Sequence, residues 1–467
     1  MTASWTADRV THALGSQLVG DRPQGGGAFT GVSTDTRHIP PGALFVALAG
    51  ERFDAHDFLA DAVTQGAAGL VVSKPDRAAN LGVPVFTVAD TLVALGALGR
   101  ERRRAWGGRV VAVVGTNGKT STKELLRAAI GSRFRVHATE GNFNNLVGVP
   151  LTLLAIPDEA EVAVIEMGTN HPGEIPRLRA IVEPDLTVVT SIAEEHLEGL
   201  GDLEGVLREE LAGCEGVPVC VVPASQPDVV HAAQSRARRT VAAGLDQGDL
   251  HPTSWSIAPD GLGCLVVEGV EVRPPVRGVH NLRNATLALA VARELSIPVA
   301  DAARGIAAMR IPPMRVNYEA FGGLTLINDA YNANPGSTRA ALELLEAAGE
   351  GRPRLAVLGS MLEMGDHAER LHREVAEEAV AGPFDLVLGV GMMGPAVEAA
   401  AQGSPRGRSV PDADAAWPLL EAALRPDAVV LLKGSRGVRL ERLVPHLADW
   451  ARAHAGYRGA APEPQSH

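Results

Sequence analysis

The sequence predicts an α/β protein in three parts: a small α/β N-terminal domain, a central, mostly parallel sheet of P-loop type with flanking helices, and a C-terminal Rossmann-like α/β domain. Three observations carry that expectation. The 467 residues are too many for one hydrophobic core and fit about three domains. Short apolar runs alternate with helical stretches along the chain, as parallel strands joined by crossover helices do. One run, RVVAVVGTNGKTST, reads as a buried strand (Val110 to Val114), a tight loop (Gly115 to Gly118) and a helix starting near Thr120. That is the layout of a phosphate-binding loop, in which backbone N–H groups and a helix N-terminus hold phosphates.

Residues 1–106 form the first expected domain. VSTDTRHIPPGALFVAL carries turn signals and a strand at Leu44 to Leu48, Phe58 to Gly66 is helical, and GLVVS and VPVFTV are short strands. The arginine-rich helix end ERRRAW (101–106) marks the first boundary. In 107–312, VVAVVG, VAVIEMG, LTVVTSI and VPVCVVP are buried strands, and a ligand site belongs at their carboxyl ends. The turn IPPM (311–314) is the second boundary and a candidate hinge. In 313–454, LTLINDA, RLAVLGS, FDLVLGVG and AVVLLKGS repeat the theme, and 455–467 is a polar tail expected to be disordered.

Composition narrows the function classes. Only four lysines occur, so each is informative, whereas the abundant arginines reflect compositional bias and carry little individual weight. No apolar stretch is long enough to span a bilayer, and the N-terminus lacks the pattern of an export signal. No membrane partner and a cytoplasmic location are therefore expected. Cys214, Cys220 and Cys264 form no C-x-x-C pair and cannot all be paired, which fits a reducing compartment. The net charge of −12 argues against a nucleic-acid surface.

The loop points to ATP. Val113 stands where the longer P-loop pattern has glycine, so the motif is the short G-x-x-G-K-T form with Lys119 and Thr120 at its end. A lysine ammonium fits inside a phosphate-wrapping loop where a guanidinium does not. Glu166 ends the strand VAVIEMG, where a Mg²⁺ ligand is expected; a helix cap is the alternative. His196 in SIAEEHLEG is a metal-ligand or loop residue. His280 and Asn284 share a helix face suited to a base or ribose, with capping by Asn281 as the competing explanation. Asp329 ends a strand before the loop NANPGS. Lys433 and Arg436 in KGSRG form a candidate carboxylate or phosphate clamp. GVGMMG (389–394) fits G-x-G-x-x-G, but a lone match among 51 glycines is weak and NAD is rejected.

GTNGKTST, GNFNNLVGVPLTLL, VIEMGTNHPGEI, HLEGLG, HNLRNATLA, INDAYNANPGS and KGSRG, in this order, resemble the Mur ligases from about Ser33 to Gly437. DAYNANP and LGSMLEMG (358–365) are most similar to the branch that joins D-Ala-D-Ala to UDP-N-acetylmuramoyl-tripeptide. The resemblance implies an ATP-dependent amide ligase of peptidoglycan precursor synthesis, acting through an acyl phosphate and a tetrahedral intermediate, with two Mg²⁺ ions and a monomeric chain. It places ATP on Gly115, Thr116, Asn117, Gly118, Lys119, Thr120, Ser121, His280, Asn281, Asn284, Arg315 and Asp329. It places metal on Thr120, Glu166, His196 and Glu210, with Lys119, Glu166, His196, Arg315 and Asp329 as catalytic residues. Ser33, Asp35, Arg37, Asn142, Asn144 and Asn145 would meet the UDP substrate, and Asn332, Asn334, Lys433, Ser435 and Arg436 the amine. Similar sequences carry a carbamylated lysine fourteen residues after the motif histidine; here Glu210 stands there and is expected to supply the carboxylate directly. Ser360 replaces an aspartate. Another ligase of the family (the tripeptide-forming sibling or folylpolyglutamate synthetase) and a non-catalytic P-loop switch are the alternatives.

Overall fold

The computed structural model describes residues 5–20, 27–50, 53–258, 260–310 and 317–454. The expected hinge at Pro312 and Pro313, Arg315 and the tail 455–467 lie outside them. The chain divides into two compact units: Met1–Val113 with Phe134–Thr169 and Gly173–Thr187, and Val114–Arg133 with Asn170–Pro172 and Val188–His467.

In the first unit, four parallel strands run in the order Val32–Ser33, Leu44–Val46, Gly69–Val72 and Val85–Thr87. Their alternation fills two cores. Leu44, Val46, Val71 and Phe86 pack with Val10, Leu14, Leu95 and Leu98, while Phe45, Leu70 and Val72 pack with Leu59 and Ala62 on the other face. The helix Thr91–Trp106 starts on Asp90, whose carboxylate accepts from the Leu92 and Val93 amides, and stops at Gly107 with φ 72°. The helix ends where ERRRAW was expected to end it, and its arginines also pack inward. Arg102 and Arg103 are buried, bonding Asp158 at 2.7 Å and Asp185 at 2.9 Å.

The central sheet has six strands in the order Thr240–Ala243, Val219–Pro223, Leu186–Val189, Arg109–Val114, Val162–Glu166, Val136–Ala138. The pairs with resolved register are parallel, with Val113 opposite Glu166 in the first unit and Cys220 opposite Thr240 in the second. An antiparallel three-stranded sheet, Ser254–Ile257, Gly263–Val267 and Val270–Val272, follows in the second unit.

The last sheet, also in the second unit, has the order Asn317–Phe321, Leu324–Asp329, Val429–Lys433, Arg354–Gly359, Leu386–Val390, Gly407–Val410. Its first pair is an antiparallel hairpin and the others are parallel. The register sets Asp329 opposite Lys433. The glycines of GVGMMG have a packing reason: a Cβ on Gly389 would stand 2.6 Å from the Met393 carbonyl oxygen. Ser360 Oγ accepts from the Met392 amide at 2.9 Å, so the serine ties two strand-end loops together. Cys214 and Cys220 lie side by side, their Cα atoms 5.9 Å apart, and Cys264 is free. Among the described residues no helix is long and apolar enough to cross a membrane.

Candidate functional site

The second unit builds its site from the P-loop outward. Gly115 has φ 116°, and a Cβ there would stand 2.5 Å from Thr190 Oγ1 and 2.8 Å from the Ser191 carbonyl oxygen. Gly118 has φ 83°, and its Cβ would reach Asn284 Nδ2 at 2.6 Å. Both positions therefore demand glycine twice over, by conformation and by space. The Thr116 amide donates to Ser191 O at 2.7 Å, anchoring the loop to the end of the neighbouring strand. The helix Lys119–Gly131 begins at the lysine, as the motif predicts, and Thr120 is buried in its first turn. Lys119 Nζ donates to Gly115 O and, at 3.0 Å, to Thr116 O, so the ammonium lies folded over the loop it serves.

Glu210 lies against this loop from the helix Leu203–Leu211, which Asp202 caps by accepting from the Gly205 amide at 2.8 Å. Its Oε2 accepts from the Gly115 amide at 2.8 Å. Burial pushes its carboxyl up, and the Lys119 charge and the Gly115 amide offset that only in part. His196 has φ 53° at the start of the helix Leu197–Leu200. Its Nδ1 pairs with Glu363 Oε2, and its Nε2 stands 3.9 Å from Glu195 Oε1. Burial lowers the His196 pKa, but the Glu363 bond and the Glu195 charge outweigh it and the net direction is upward.

The loop after Asp329 meets the P-loop directly. Asn334 Nδ2 donates to Asn117 Oδ1 at 2.8 Å, and Asn117 Nδ2 returns a bond to Asn334 Oδ1 at 3.3 Å. The same Asn334 caps the helix Pro335–Ala348 in a capping box with Ser337. Asn332 Nδ2 donates to Glu195 Oε1 at 2.9 Å. Asn334 thus has structural work that the expectation of an amine contact did not include. Lys433 also has structural work. Its buried ammonium donates to Asp329 Oδ2 at 2.6 Å and Asn332 O at 2.8 Å, so it holds the loop. Ser435 Oγ accepts from the Leu362 amide at 3.0 Å. Arg436 is exposed, its guanidinium 5.7 Å from the centre of the Tyr331 ring.

On the helix Val279–Glu294, Asn281 Nδ2 donates to Arg277 O at 2.8 Å and Asn284 Nδ2 to Asn281 Oδ1 at 3.2 Å. Asn281 does not cap the helix, whose N-cap is Gly278 with no side-chain cap bond; it ties the preceding Arg277 carbonyl to the first turn, while Asn284 lies under Gly118. Burial lowers His280 to about 4, keeping its imidazole neutral at physiological pH.

In the first unit, buried Glu166 accepts from Asn144 Nδ2 at 2.9 Å, and its own amide donates to Thr139 Oγ1 at 2.9 Å. Asn145 Oδ1 accepts from the Gly148 amide at 2.9 Å, starting the helix Gly148–Leu154, and Asn142 is exposed. Ser33 Oγ accepts from the Asp35 amide at 3.4 Å, and Asp35 binds Arg37 through two bonds of 2.9 and 2.8 Å. That pair holds the Asp35 carboxyl well below its usual range.

The expected metal set is not assembled as a cage. Among the described residues no group of three or more His, Cys, Asp or Glu side chains is arranged to hold an ion. Glu166, His196 and Glu210 each face another protein group. The oxygen donors fit Mg²⁺ in kind, since that ion is commonly held by one or two carboxylates with phosphates and waters completing its shell. Two residues of this site escaped the sequence reading. Glu363 has φ 64°, a conformation no local pattern announces. Glu195 did leave a signal, an acid beside the motif histidine just past a buried strand.

Residues 28–103 match the model described as Mur ligase family, catalytic domain, 113–292 the Mur ligase middle domain, and 314–436 the Mur ligase, glutamate ligase domain. The chain is 35% identical over 429 residues to the UDP-N-acetylmuramoyl-tripeptide–D-alanyl-D-alanine ligase of Bacillus subtilis, covering 90% of this chain and 93% of that one. It is similar to a crystal structure of MurF from Acinetobacter baumannii with a TM-score of 0.86 and 30% identity, covering 96% and 99% of the two chains. The MurF ligase from Thermotoga maritima in complex with ADP gives a TM-score of 0.77 at 26% identity, with 91% and 98% covered.

Proposed function

We propose, from the premise that this chain belongs to the Mur ligase family, that it joins D-alanyl-D-alanine to UDP-N-acetylmuramoyl-tripeptide at the expense of ATP in peptidoglycan precursor synthesis. The observation that carries the reading is the meeting of the P-loop with the loop after Asp329, through the reciprocal amides of Asn117 and Asn334. A phosphate-binding loop clasped by a second substrate-facing loop suits a reaction that must bring three reactants together.

In this reading 1–106 holds the UDP end, 107–312 ATP and 313–454 the incoming amine. Arriving phosphates replace the Gly115 and Thr116 carbonyls as partners of the Lys119 ammonium. The tripeptide carboxylate takes the terminal phosphoryl group, and ADP departs. The amine attacks the acyl carbon, and the tetrahedral intermediate expels phosphate. Thr120 would hold one Mg²⁺ and His196 with Glu210 a second, which would supply neutralisation of phosphate charge, and Glu166 is a metal-ligand candidate of the first unit. Asn284, beneath Gly118, remains the best-placed adenine-side contact.

The test is phosphate release by the full-length protein with each acceptor and amine alone and together, using lysine-, ornithine- and diaminopimelate-containing tripeptides. Release that requires both substrates is the expected result. Hydrolysis indifferent to them, or equal turnover with glutamate and folate, overturns the reading.

A further inference from the structure

The C-terminal sheet has a place where its connections part. The strands Val429–Lys433 and Arg354–Gly359 lie side by side and parallel. After Arg354–Gly359 the chain enters the helix Ala368–Ala381, which packs beside Pro335–Ala348. After Val429–Lys433 it enters the helix Leu443–Ala453, which packs beside Ala413–Ala423 over Leu355 and Val357 on the other face. In an open α/β sheet, the crevice between strand ends whose connections leave for opposite faces is where a ligand binds.

Two loops line this crevice and are bound to each other. The Ser435 amide donates to Ser360 O at 3.1 Å, and the Leu362 amide donates to Ser435 Oγ at 3.0 Å. A Cβ on Gly359 would stand 3.2 Å from Gly434 Cα, so the strand ends come as close as glycine allows. The side chains presented outward differ in chemistry. Arg436 is exposed, and among the described residues its guanidinium meets no carboxylate. Leu362 is 41% exposed, and a Cβ on Gly437, the residue after Arg436, would stand 3.1 Å from its Cδ1. Glu363, next in the chain, bonds His196, so the crevice lies beside the part that carries the P-loop.

We propose that Leu362 sets the size of side chain accepted at the C-terminal residue of the incoming dipeptide, whose carboxylate Arg436 holds; this rests on the ligase reading above. A guanidinium grips a carboxylate through two parallel N–H bonds, which fixes the α-carbon behind it. The side chain on that carbon then meets Leu362. A methyl group covers the leucine and removes apolar surface of both from water. A hydrogen in its place leaves the leucine wet, and a branched side chain collides with it.

Phosphate release by the full-length protein with ATP and UDP-tripeptide tests this with D-Ala-D-Ala, D-Ala-Gly, D-Ala-D-Val and D-alanyl-D-alaninamide as amines. No release by wild type with D-Ala-D-Ala sinks the ligase reading itself, before any variant is made. Wild type should favour D-Ala-D-Ala over D-Ala-Gly and D-Ala-D-Val by about tenfold or more in kcat/KM. Leu362→Ala should shrink the preference over D-Ala-Gly to about threefold and improve D-Ala-D-Val about tenfold relative to D-Ala-D-Ala, with the KM for ATP within about twofold of wild type. Arg436→Gln should lose about tenfold or more with D-Ala-D-Ala but less than about twofold with the amide, which has no charge to hold. Equal wild-type use of the three dipeptides, a Leu362→Ala loss by the same factor with each, or an Arg436→Gln loss shared by acid and amide would overturn the proposal, because a structural role does not tell the amines apart.

Discussion

Lys119 and Glu210 show how far a single side chain decides this site. The lysine ammonium fits within the loop by bonding two of its carbonyls, a geometry the broad guanidinium of arginine cannot copy. Lys119→Arg should abolish phosphate release while leaving the melting temperature within about 2 °C; a near-normal rate would remove the basis of the functional reading. The Glu210 prediction turns on its proton. Burial raises its carboxyl in the folded chain, so the folded state keeps that proton to a higher pH than the unfolded one. Stability therefore falls as pH rises from the ordinary carboxylate range through the raised value, and the full cost applies above it. Glutamine still accepts from the Gly115 amide and carries no charge. Glu210→Gln should raise the neutral-pH melting temperature of nucleotide-free protein by about 2 °C, the gain vanishing in acid. If the carboxylate also serves a metal, the same variant needs more Mg²⁺ for turnover; unchanged activity and Mg²⁺ dependence would reject that role. The loop glycines and Lys119 were legible because phosphate binding constrains spacing along the chain. The partners of Glu210 and His196 were not, since Gly115 and Glu363 are brought to them by tertiary contact.

Asn334 carries the argument at the level of elements. Its side chain starts the helix Pro335–Ala348 and also donates to Asn117. The two tasks separate chemically. Asn334→Ala should cost about 1 kcal/mol in stability, the usual loss of an N-cap, measured by denaturant unfolding. Asn334→Asp retains the capping oxygen but has no Nδ2 donor, so it should keep stability and instead raise the KM for ATP severalfold. Equal losses of stability in both variants would show that the cap contributes nothing beyond the Asn117 bond, the contact that both variants lose. The strands were read correctly because their apolar runs are short and bounded by turn residues: RLAVLGS became Arg354–Gly359 and AVVLLKGS became Val429–Lys433. ERRRAW was read as a helix end and no more, since only the fold reveals that Arg102 and Arg103 find carboxylates and carbonyls to bury against.

Within the second unit as a whole, polar contacts bind the central and C-terminal parts: Asn117 to Asn334, Asn332 to Glu195, His196 to Glu363 and Glu194 to Arg370. The histidine makes this clasp sensitive to pH. Its raised folded pKa means that the pair with Glu363 contributes fully below the ordinary histidine range and is lost as pH rises through the raised value. Scattering should accordingly give a larger radius of gyration for nucleotide-free protein at pH 8.5 than at pH 6, and Glu363→Gln should flatten the difference; no change in wild type would exclude His196 as a fastener. Such long-range pairings leave no trace in local sequence patterns, which is why three domains were legible and their clasp was not. The same burial has a practical consequence for the rare lysines. The side chains of Lys123 and Lys433 are 2% and 3% exposed and that of Lys119 is 13%, whereas Lys74 is 54% exposed. An amine-directed dye or cross-linker used well above neutral pH therefore meets essentially one side-chain handle, far along the chain from the P-loop, with the α-amine as the competing group.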